Sequence, residues 1–266
     1  MLELQNVSKV FNPGTVNEKT ALDNLSLKVE DGDFITVVGS NGAGKSTLFN
    51  AISGGFLADS GKIILDGRNI TFEPDYVRSR YIGQMFQDPL KGTAPHMTIT
   101  ENLALAYLRA EPSTNPFSRI TKKEKELFHE KLKQLQMGLE DRMNTPVGTL
   151  SGGQRQALTL LMATLVPPRI LLLDEHTAAL DPAAADQIMT LTRRITEEHH
   201  TTCMMVTHNL KQAVSIGNRT LMMANGHIVV DLKGEERKGL GIQDLMRLFH
   251  EHAGKDLDND RMLLSE

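Results

Sequence analysis

Apolar and polar positions alternate along the first part of the chain, as they do in half-buried β-strands. The alternation predicts strands at residues 2–11, 21–29 and 34–38, separated by turns rich in Asn, Pro, Gly and Asp. Two more strands are predicted at residues 62–65 and 79–86. The chain therefore begins with an antiparallel β region.

The pattern becomes helical between residues 89 and 166. Thr98-x-x-Glu101 and Thr121-x-x-Glu124 each match the capping box, in which a threonine and a glutamate satisfy the first amides of a helix. We interpret residues 88–166 as an inserted helical subdomain.

An α/β pattern returns after Pro167 and Pro168. The entirely apolar run at 170–173 ends at Asp174, which predicts a strand buried on both faces. The further predicted elements are a helix at 182–198, a strand at 202–206, a helix near 209–216 and a hairpin turning at Asn225 and Gly226. From residue 234 onward the chain is charged and weakly patterned, and we treat 234–266 as a tail that follows a domain at 1–233.

Composition excludes several classes of protein. The net charge of −4 and the pI near 6.1 give no overall attraction to nucleic acid, so we expect no nucleic-acid partner. A single cysteine, Cys203, cannot form an internal disulfide, which fits a reducing compartment. The N-terminus lacks the basic start and apolar stretch of a signal peptide, and no run reaches the roughly 18 apolar residues of a membrane span. We therefore expect a cytosolic chain.

A glycine-rich loop follows the apolar strand at 34–38 and opens a helix. It matches the pattern G-x-x-x-x-G-K-[ST] with Gly39, Ser40, Asn41, Gly42, Ala43, Gly44, Lys45, Ser46 and Thr47. Glycines let backbone amides point at phosphate oxygens, and the helix N-terminus adds partial positive charge. Lys45 would place a full charge beside the β- and γ-phosphates, and Ser46 would offer its hydroxyl to Mg²⁺. By itself the loop leaves kinases, GTPases and motor ATPases open.

Two carboxylates favour ATP hydrolysis among these alternatives. Asp174 and Glu175 end the strand at 170–173, at the carboxyl edge where parallel α/β sheets hold ligands. Asp174 would hold the Mg²⁺ shell, and Glu175 would orient the attacking water, because phosphoryl transfer depends on positioning and charge stabilisation. A phosphotransferase is disfavoured, because the chain offers no evident acceptor site beyond residues 150–154.

A second anion cradle is predicted where another helix begins. Ser151 is placed to cap the helix, and Gly152 and Gly153 expose backbone amides at its positive end. Alone, such a turn is more often a flexible loop.

With these motifs and His208 together, the chain resembles the ATP-binding subunit of ABC transporters from about residue 2 to residue 230. The resemblance implies an α/β fold with a RecA-like P-loop NTPase core (1–87 and 167–233), an antiparallel β subdomain and the inserted helical subdomain. It implies that Phe11 stacks on adenine, that Gln87 senses Mg²⁺ and water, and that His208 contacts the γ-phosphate beside Glu175. In a head-to-tail dimer, the signature residues Ser151, Gly152, Gly153 and Gln154 would contact the nucleotide of the other copy, and Leu180 and Asp181 would form the dimer contact loop.

One position departs from the family pattern. Most relatives have proline after the catalytic glutamate, whereas this chain has His176, so the loop is less restricted in φ. We expect His176 to be tolerated rather than catalytic, and leave open whether its ring touches the dimer interface.

The resemblance also implies partners. We expect two nucleotide-binding subunits, either a homodimer or a pair of paralogues, bound to separate permease chains at the cytoplasmic face of a membrane. The stretch around Glu175 and the run 102–106 look most like ATPases of lipoprotein-dependent uptake of small solutes, which implies an extracytoplasmic solute-binding protein and possible amino-acid substrates. An exporter ATPase and a soluble ABC-type ATPase remain as alternatives.

Overall fold

The computed structural model describes residues 1–110 and 120–253, which form two compact units. The first unit comprises Met1–Arg78 and the described chain from Thr202 onward, and the second comprises Ser79–Thr201. The strands and helices, in chain order, are β1 (Leu2–Phe11), β2 (Lys19–Val29), β3 (Phe34–Gly39), α1 (Lys45–Ser53), β4 (Ser60–Leu65), β5 (Arg68–Asn69), α2 (Asp75–Arg78), β6 (Ile82–Met85), α3 (Ile99–Ala110), α4 (Lys122–Lys133), α5 (Gly152–Thr164), β7 (Ile170–Asp174), α6 (Pro182–Glu198), β8 (Thr202–Val206), α7 (Leu210–Ser215), β9 (Arg219–Ala224), β10 (His227–Lys233) and α8 (Ile242–Ala253).

Four strands of the first unit form an antiparallel sheet in the order β2-β1-β4-β5. Strand β1 lies between β2 and β4, so that Leu2 is opposite both Val29 and Leu65. Leu2 and Leu4 are buried and alternate with more exposed residues until Asn6, whose φ of 49° accompanies a shift in the pairing register. The predicted antiparallel β region is confirmed for β1, β2 and β4. The predicted strands at 34–38 and 79–86 correspond to β3 and β6, which instead pair in parallel with their neighbours.

The other strands of the first unit lie in the order β10-β9-β3-β8. Strand β3 runs parallel to both β8 and β9, and its residues 35–39 are all buried. Strands β9 and β10 form the predicted hairpin, and Asn225 and Gly226 at its turn have the positive φ values that a type I′ turn requires. Cys203 lies on β8 and is fully buried, which raises the pKa of its thiol.

Helix α8 packs against β10 and α7 in the first unit. Its buried residues Leu245 and Phe249 join a core cluster that includes Val38, Leu210 and Met222. Helix α8 lies in the predicted tail at 234–266 and is not among the elements predicted from the sequence.

A buried arginine at the end of α2 anchors the end of α1. The guanidinium of Arg78 is inaccessible to solvent and donates hydrogen bonds to backbone carbonyls, which are those of Ala51, Ile52, Thr71 and Glu73. Ala51 and Ile52 lie near the negative end of the α1 dipole, so the positive charge of Arg78 is favourable there. Helix α1 is thereby held at the end away from the glycine-rich loop.

In the described part of the chain, the second unit combines a parallel strand pair with four α-helices. Strands β6 and β7 place Ile82 opposite Ile170. Helix α5 packs against α3 and α6, and Phe128 on α4 meets the ring of Tyr107 edge to face at 6.1 Å. Helices α3, α4 and α5 come from the segment 88–166 and all lie in this unit. The boundaries of the inserted helical subdomain remain a prediction.

Both predicted capping boxes are confirmed. The amide of Glu124 donates to the hydroxyl of Thr121, while the carboxylate of Glu124 accepts from the amide of Thr121. Thr98 and Glu101 make the same reciprocal bonds before α3. Within the ranges 1–110 and 120–253, none of the helices has the length and apolar character needed to cross a membrane.

Candidate functional site

The glycine-rich loop connects β3 to α1, as the sequence predicts. A side chain at Gly39 would collide with the carbonyl oxygen of Met223, and a Cβ at Gly44 would lie 2.5 Å from the carbonyl oxygen of Ala21. Gly44 also has a φ of 104°, in the region that favours glycine. Only glycine fits these two positions, so the tight path of the loop follows from its sequence.

Lys45 reaches back over this loop. Its buried Nζ donates hydrogen bonds of 2.7 Å to the carbonyl oxygen of Gly39 and 2.9 Å to that of Ser40. Ser46, the next residue along α1, is exposed. The ammonium group is thus held at the loop, beside backbone that opens a helix N-terminus, which is a favourable environment for a phosphate.

A second ammonium group lies close to the loop. A Cβ built at Gly42 would be 3.0 Å from Nζ of Lys19, at the start of β2. Lys19 is not among the predicted site residues, because nothing in the local sequence shows that β2 approaches the loop.

Phe11 is part of a small aromatic cluster in the first unit. Its ring meets that of Phe56 edge to face at 5.5 Å, and Nζ of Lys9 lies 5.7 Å from the Phe11 centroid. Lys9 also pairs with Asp59 at 2.7 Å, which lowers the pKa of that carboxyl. Phe11 remains 37% exposed, so its proposed stacking on adenine is sterically possible. Phe56 is a residue that sequence reasoning missed.

In the second unit, β7 delivers Asp174 and Glu175 to its carboxyl end. Glu175 adopts a left-handed backbone conformation with a φ of 47°, which costs a residue with a side chain about 1–2 kcal/mol. Its Oε2 accepts a hydrogen bond of 3.2 Å from Nε2 of Gln87. The structure thus brings together two predicted site residues that are 88 positions apart.

His176 is enclosed by its own chain. The residue is 2% exposed, and its Nε2 lies 3.3 Å from Oγ1 of Thr192 on α6. Its carbonyl oxygen accepts a hydrogen bond of 2.5 Å from Nε2 of Gln156 on α5. Burial lowers the pKa of His176 to about 4, because the charged form loses its hydration. The ring is therefore neutral at pH 7 and is not presented at the surface of this chain.

The signature residues open α5. Ser151 caps the helix by accepting from the amide of Gln154, whose side chain accepts in return from the amide of Ser151. Gly152 is exposed, and a Cβ there would lie 3.4 Å from Cδ2 of Leu180. Asp181, after Leu180, caps α6. The second unit thus places the predicted signature turn beside the predicted dimer contact loop.

His208 follows β8 in the first unit and is exposed. Its two neighbours in the chain are held by hydrogen bonds. The hydroxyl of Thr207 donates to Oε1 of Gln212 at 2.8 Å and accepts from the backbone amide of Asn209 at 3.1 Å. Asn209 in turn caps α7. The backbone on both sides of His208 is therefore well defined.

The sequence can now be set beside known proteins. The ABC transporter family model matches residues 22–178. The tyrosine transport ATP-binding protein of Clostridioides difficile is 42% identical over 249 residues, which cover 94% of this chain and 98% of that relative. A methionine import ATP-binding protein of Listeria monocytogenes is 39% identical, and a choline transport ATP-binding protein of Bacillus subtilis is 34% identical, each over 86% of this chain. The chain spans 65% and 56% of the length of these last two relatives.

Solved structures agree with this assignment. A dimeric ATP-binding cassette in a post-hydrolysis state bound to ADP and Pi has a TM-score of 0.75 at 28% identity, covering 88% of this chain and 98% of that one. A nucleotide-free cassette has a TM-score of 0.74 at 26% identity, covering 96% and 99%. The expected ABC ATPase fold is confirmed. The chain belongs to the ABC transporter family and is an ATP-binding subunit that hydrolyses ATP to drive transport.

Proposed function

We propose that this subunit drives the import of a small solute, with an amino acid such as tyrosine as the first candidate. The observation that carries the proposal is the 42% identity to a tyrosine transport ATP-binding protein over 98% of that relative. The similarity to a methionine import ATP-binding protein supports the same direction of transport and a related class of solute.

Nucleotide binding uses the first unit. The amides of the glycine-rich loop (Gly39, Ser40, Asn41, Gly42, Ala43, Gly44) and the start of α1 (Lys45, Ser46, Thr47) bind the phosphates, and Phe11 stacks on adenine. The ammonium groups of Lys45 and Lys19 lie at this loop and offset phosphate charge. His208 contacts the γ-phosphate.

Mg²⁺ fits the oxygen donors that the chain offers. In the described residues, no group of three or more His, Cys, Asp and Glu side chains forms a metal site. Mg²⁺ commonly keeps waters and takes phosphate oxygens as ligands, so few protein donors suffice. Ser46, Gln87 and Asp174 would hold it, and it would neutralise phosphate charge when bound.

Hydrolysis depends on Glu175. Its carboxylate orients the attacking water and accepts a proton from it, while Gln87 holds the carboxylate through the bond at Oε2. This role explains why glutamate occupies position 175, although its left-handed backbone conformation is unfavourable for residues with a side chain.

We also propose that two copies, or this chain and a paralogue, close head to tail on two ATP molecules. Ser151, Gly152, Gly153 and Gln154 of one copy contact the nucleotide of the other, and Leu180 and Asp181 contact the facing subunit. The similarity to a cassette solved as a dimer supports this arrangement. The dimer binds separate permease subunits at the cytoplasmic face of the membrane and works with an extracytoplasmic solute-binding protein.

The test is transport by the complex itself. The chain is purified with the permease that binds it, and the complex is placed in liposomes with ATP on the side of the chain. Labelled tyrosine, methionine or choline is supplied on the opposite side together with the solute-binding protein. We expect ATP-dependent uptake of tyrosine, absent in Lys45→Ala and Glu175→Gln complexes. Movement of solute away from the ATP side would favour an exporter, and failure of the chain to bind any permease would favour a soluble ABC ATPase.

A further inference from the structure

The left-handed backbone at Glu175 needs support from its surroundings. Residues other than glycine rarely adopt a φ of 47°, and those that do are held there by neighbouring contacts. One contact is local, since the amide of Ala178 donates to the carbonyl of Glu175 at 2.9 Å. A second contact is made at the next peptide, where the carbonyl of His176 accepts the bond of 2.5 Å from Gln156.

The ring of His176 fixes this peptide from a second direction. The hydroxyl of Thr192 donates a hydrogen bond of 2.8 Å to the carbonyl of Ile188. Because that hydroxyl has a single hydrogen, Nε2 of His176 is the donor in the contact of 3.3 Å with Oγ1 of Thr192. His176 is therefore held at its carbonyl by α5 and at its ring by α6.

Gln156 is an unusual choice for a buried helix position. The residue is inaccessible to solvent, and among the described residues none donates a hydrogen bond to its Oε1. A buried acceptor without a donor lowers stability, so a core selected only for packing would place an apolar residue here. The amide of Gln156 instead supplies a donor to the peptide that follows Glu175.

We propose that Gln156 is a positioning residue for hydrolysis: its hydrogen bond to the His176 carbonyl holds Glu175 in the left-handed conformation that aims the carboxylate. The proposal deepens the function proposed above and rests on the role of Glu175 given there. Gln156 lies two residues beyond Gln154, on the helix that the signature turn opens. Movement of the signature turn would therefore shift the same peptide bond that orients Glu175.

The direct test replaces Gln156 by methionine, which is similar in shape and cannot donate. We expect Gln156→Met to lower kcat for ATP at least tenfold, to leave KM for ATP within about twofold, and to leave the thermal unfolding temperature unchanged or raised. A residue with a purely structural role would show the reverse, with lower stability and an unchanged rate.

Thr164→Val is the matched control, because it also replaces a buried polar residue on α5. Among the residues that the structure describes, the hydroxyl of Thr164 bonds only within its own helix, to the carbonyls of Leu160 and Leu161. We expect this control to retain the wild-type kcat.

A second pair of variants probes the other anchor. His176→Leu should lower kcat, and His176→Gln, which keeps an N–H near the position of Nε2, should restore most of the rate. The double variant Gln156→Met/His176→Leu should be little slower than the slower single variant, because both changes release one peptide.

Two outcomes would overturn the inference: a wild-type kcat in Gln156→Met, or a loss of rate that Thr164→Val reproduces. Glu175→Gln, measured in parallel, separates this failure from failure of the proposed function. If Glu175→Gln is inactive while Gln156→Met is fully active, only the role of Gln156 is lost. If Glu175→Gln hydrolyses ATP at the wild-type rate, the proposed role of Glu175 falls as well.

Discussion

The amide of Gln87 donates a hydrogen bond of 3.2 Å to a carboxylate oxygen of Glu175. Gln87 follows β6 and Glu175 follows β7, and these two strands pair in parallel, so both side chains leave the same edge. The bond favours one orientation of the carboxylate. Movement of the Gln87 loop would therefore disturb the position of the Glu175 side chain.

Replacing Gln87 by leucine should therefore slow hydrolysis. We expect kcat for ATP to fall about 10- to 100-fold, because Glu175 loses its orienting donor. Steady-state hydrolysis measurements give the comparison, with Gln243→Leu, an exposed position on α8, as the control. An unchanged kcat in Gln87→Leu would show that the bond has no catalytic consequence.

Replacing Phe11 by alanine should weaken ATP binding about tenfold, since stacking of a base on an aromatic ring contributes roughly 1–3 kcal/mol. Stability should change by less than about 1.5 kcal/mol, because the ring is 37% exposed and makes one edge-to-face aromatic contact. Titration with a fluorescent nucleotide measures the affinity. Phe11→Tyr should bind normally, as should Phe72→Ala, which removes a phenylalanine that is 77% exposed. Equal affinities for Phe11→Ala and the wild type would remove Phe11 from the nucleotide site.

The buried histidine predicts how stability depends on pH. The pKa of His176 is lowered from 6.5 to about 4, so the unfolded chain takes up a proton before the folded chain as pH falls. The contribution of His176 to the free energy of unfolding is constant above pH 6.5. Between pH 6.5 and pH 4 this contribution decreases by roughly 3 kcal/mol in total.

Urea unfolding at several pH values tests this. The loss of stability between pH 6.5 and 4 should be smaller in His176→Gln than in the wild type, because glutamine does not titrate. His96→Gln, at an exposed histidine, should keep the wild-type dependence. The same pH dependence in all three proteins would mean that His176 is accessible to protons.

Helix α8 should be required for the stability of the first unit. Phe249 is 3% exposed in the cluster with Leu210 and Met222, so Phe249→Ala should lower the free energy of unfolding by about 3–5 kcal/mol. Glu251→Ala, on the exposed face of the same helix, should change the free energy of unfolding by less than about 0.5 kcal/mol. A loss below about 1 kcal/mol for Phe249→Ala would mean that α8 is only loosely attached.

Features that depend on local sequence were predictable. The phosphate loop, the capping boxes and the strand before Asp174 each follow from residues that are close in the chain, and the structure contains all three. The family and its fold were also predicted, because several separated motifs occur together, and the comparisons confirm them.

Features that depend on distant contacts were not predictable. Phe56 and Lys19 were missed because residues remote in the sequence bring them to their positions. Helix α8 was missed although its apolar residues recur at helical spacing, so its local pattern was sufficient to predict it. Only the residues that bury its apolar face, such as Val38 and Met222, are remote in the sequence. The contacts of His176 were also not predictable, because no local pattern connects it to Thr192, which meets its ring, or to Gln156, which meets its carbonyl.

The left-handed turn at Glu175 also sets a limit on engineering this ATPase. Glycine would adopt the same backbone without strain, so Glu175→Gly should gain stability of the order of 1 kcal/mol. A screen that selects thermostable variants by folding alone would therefore favour glycine at this position. The most stable variants from such a screen would be enriched in proteins that bind ATP and cannot hydrolyse it.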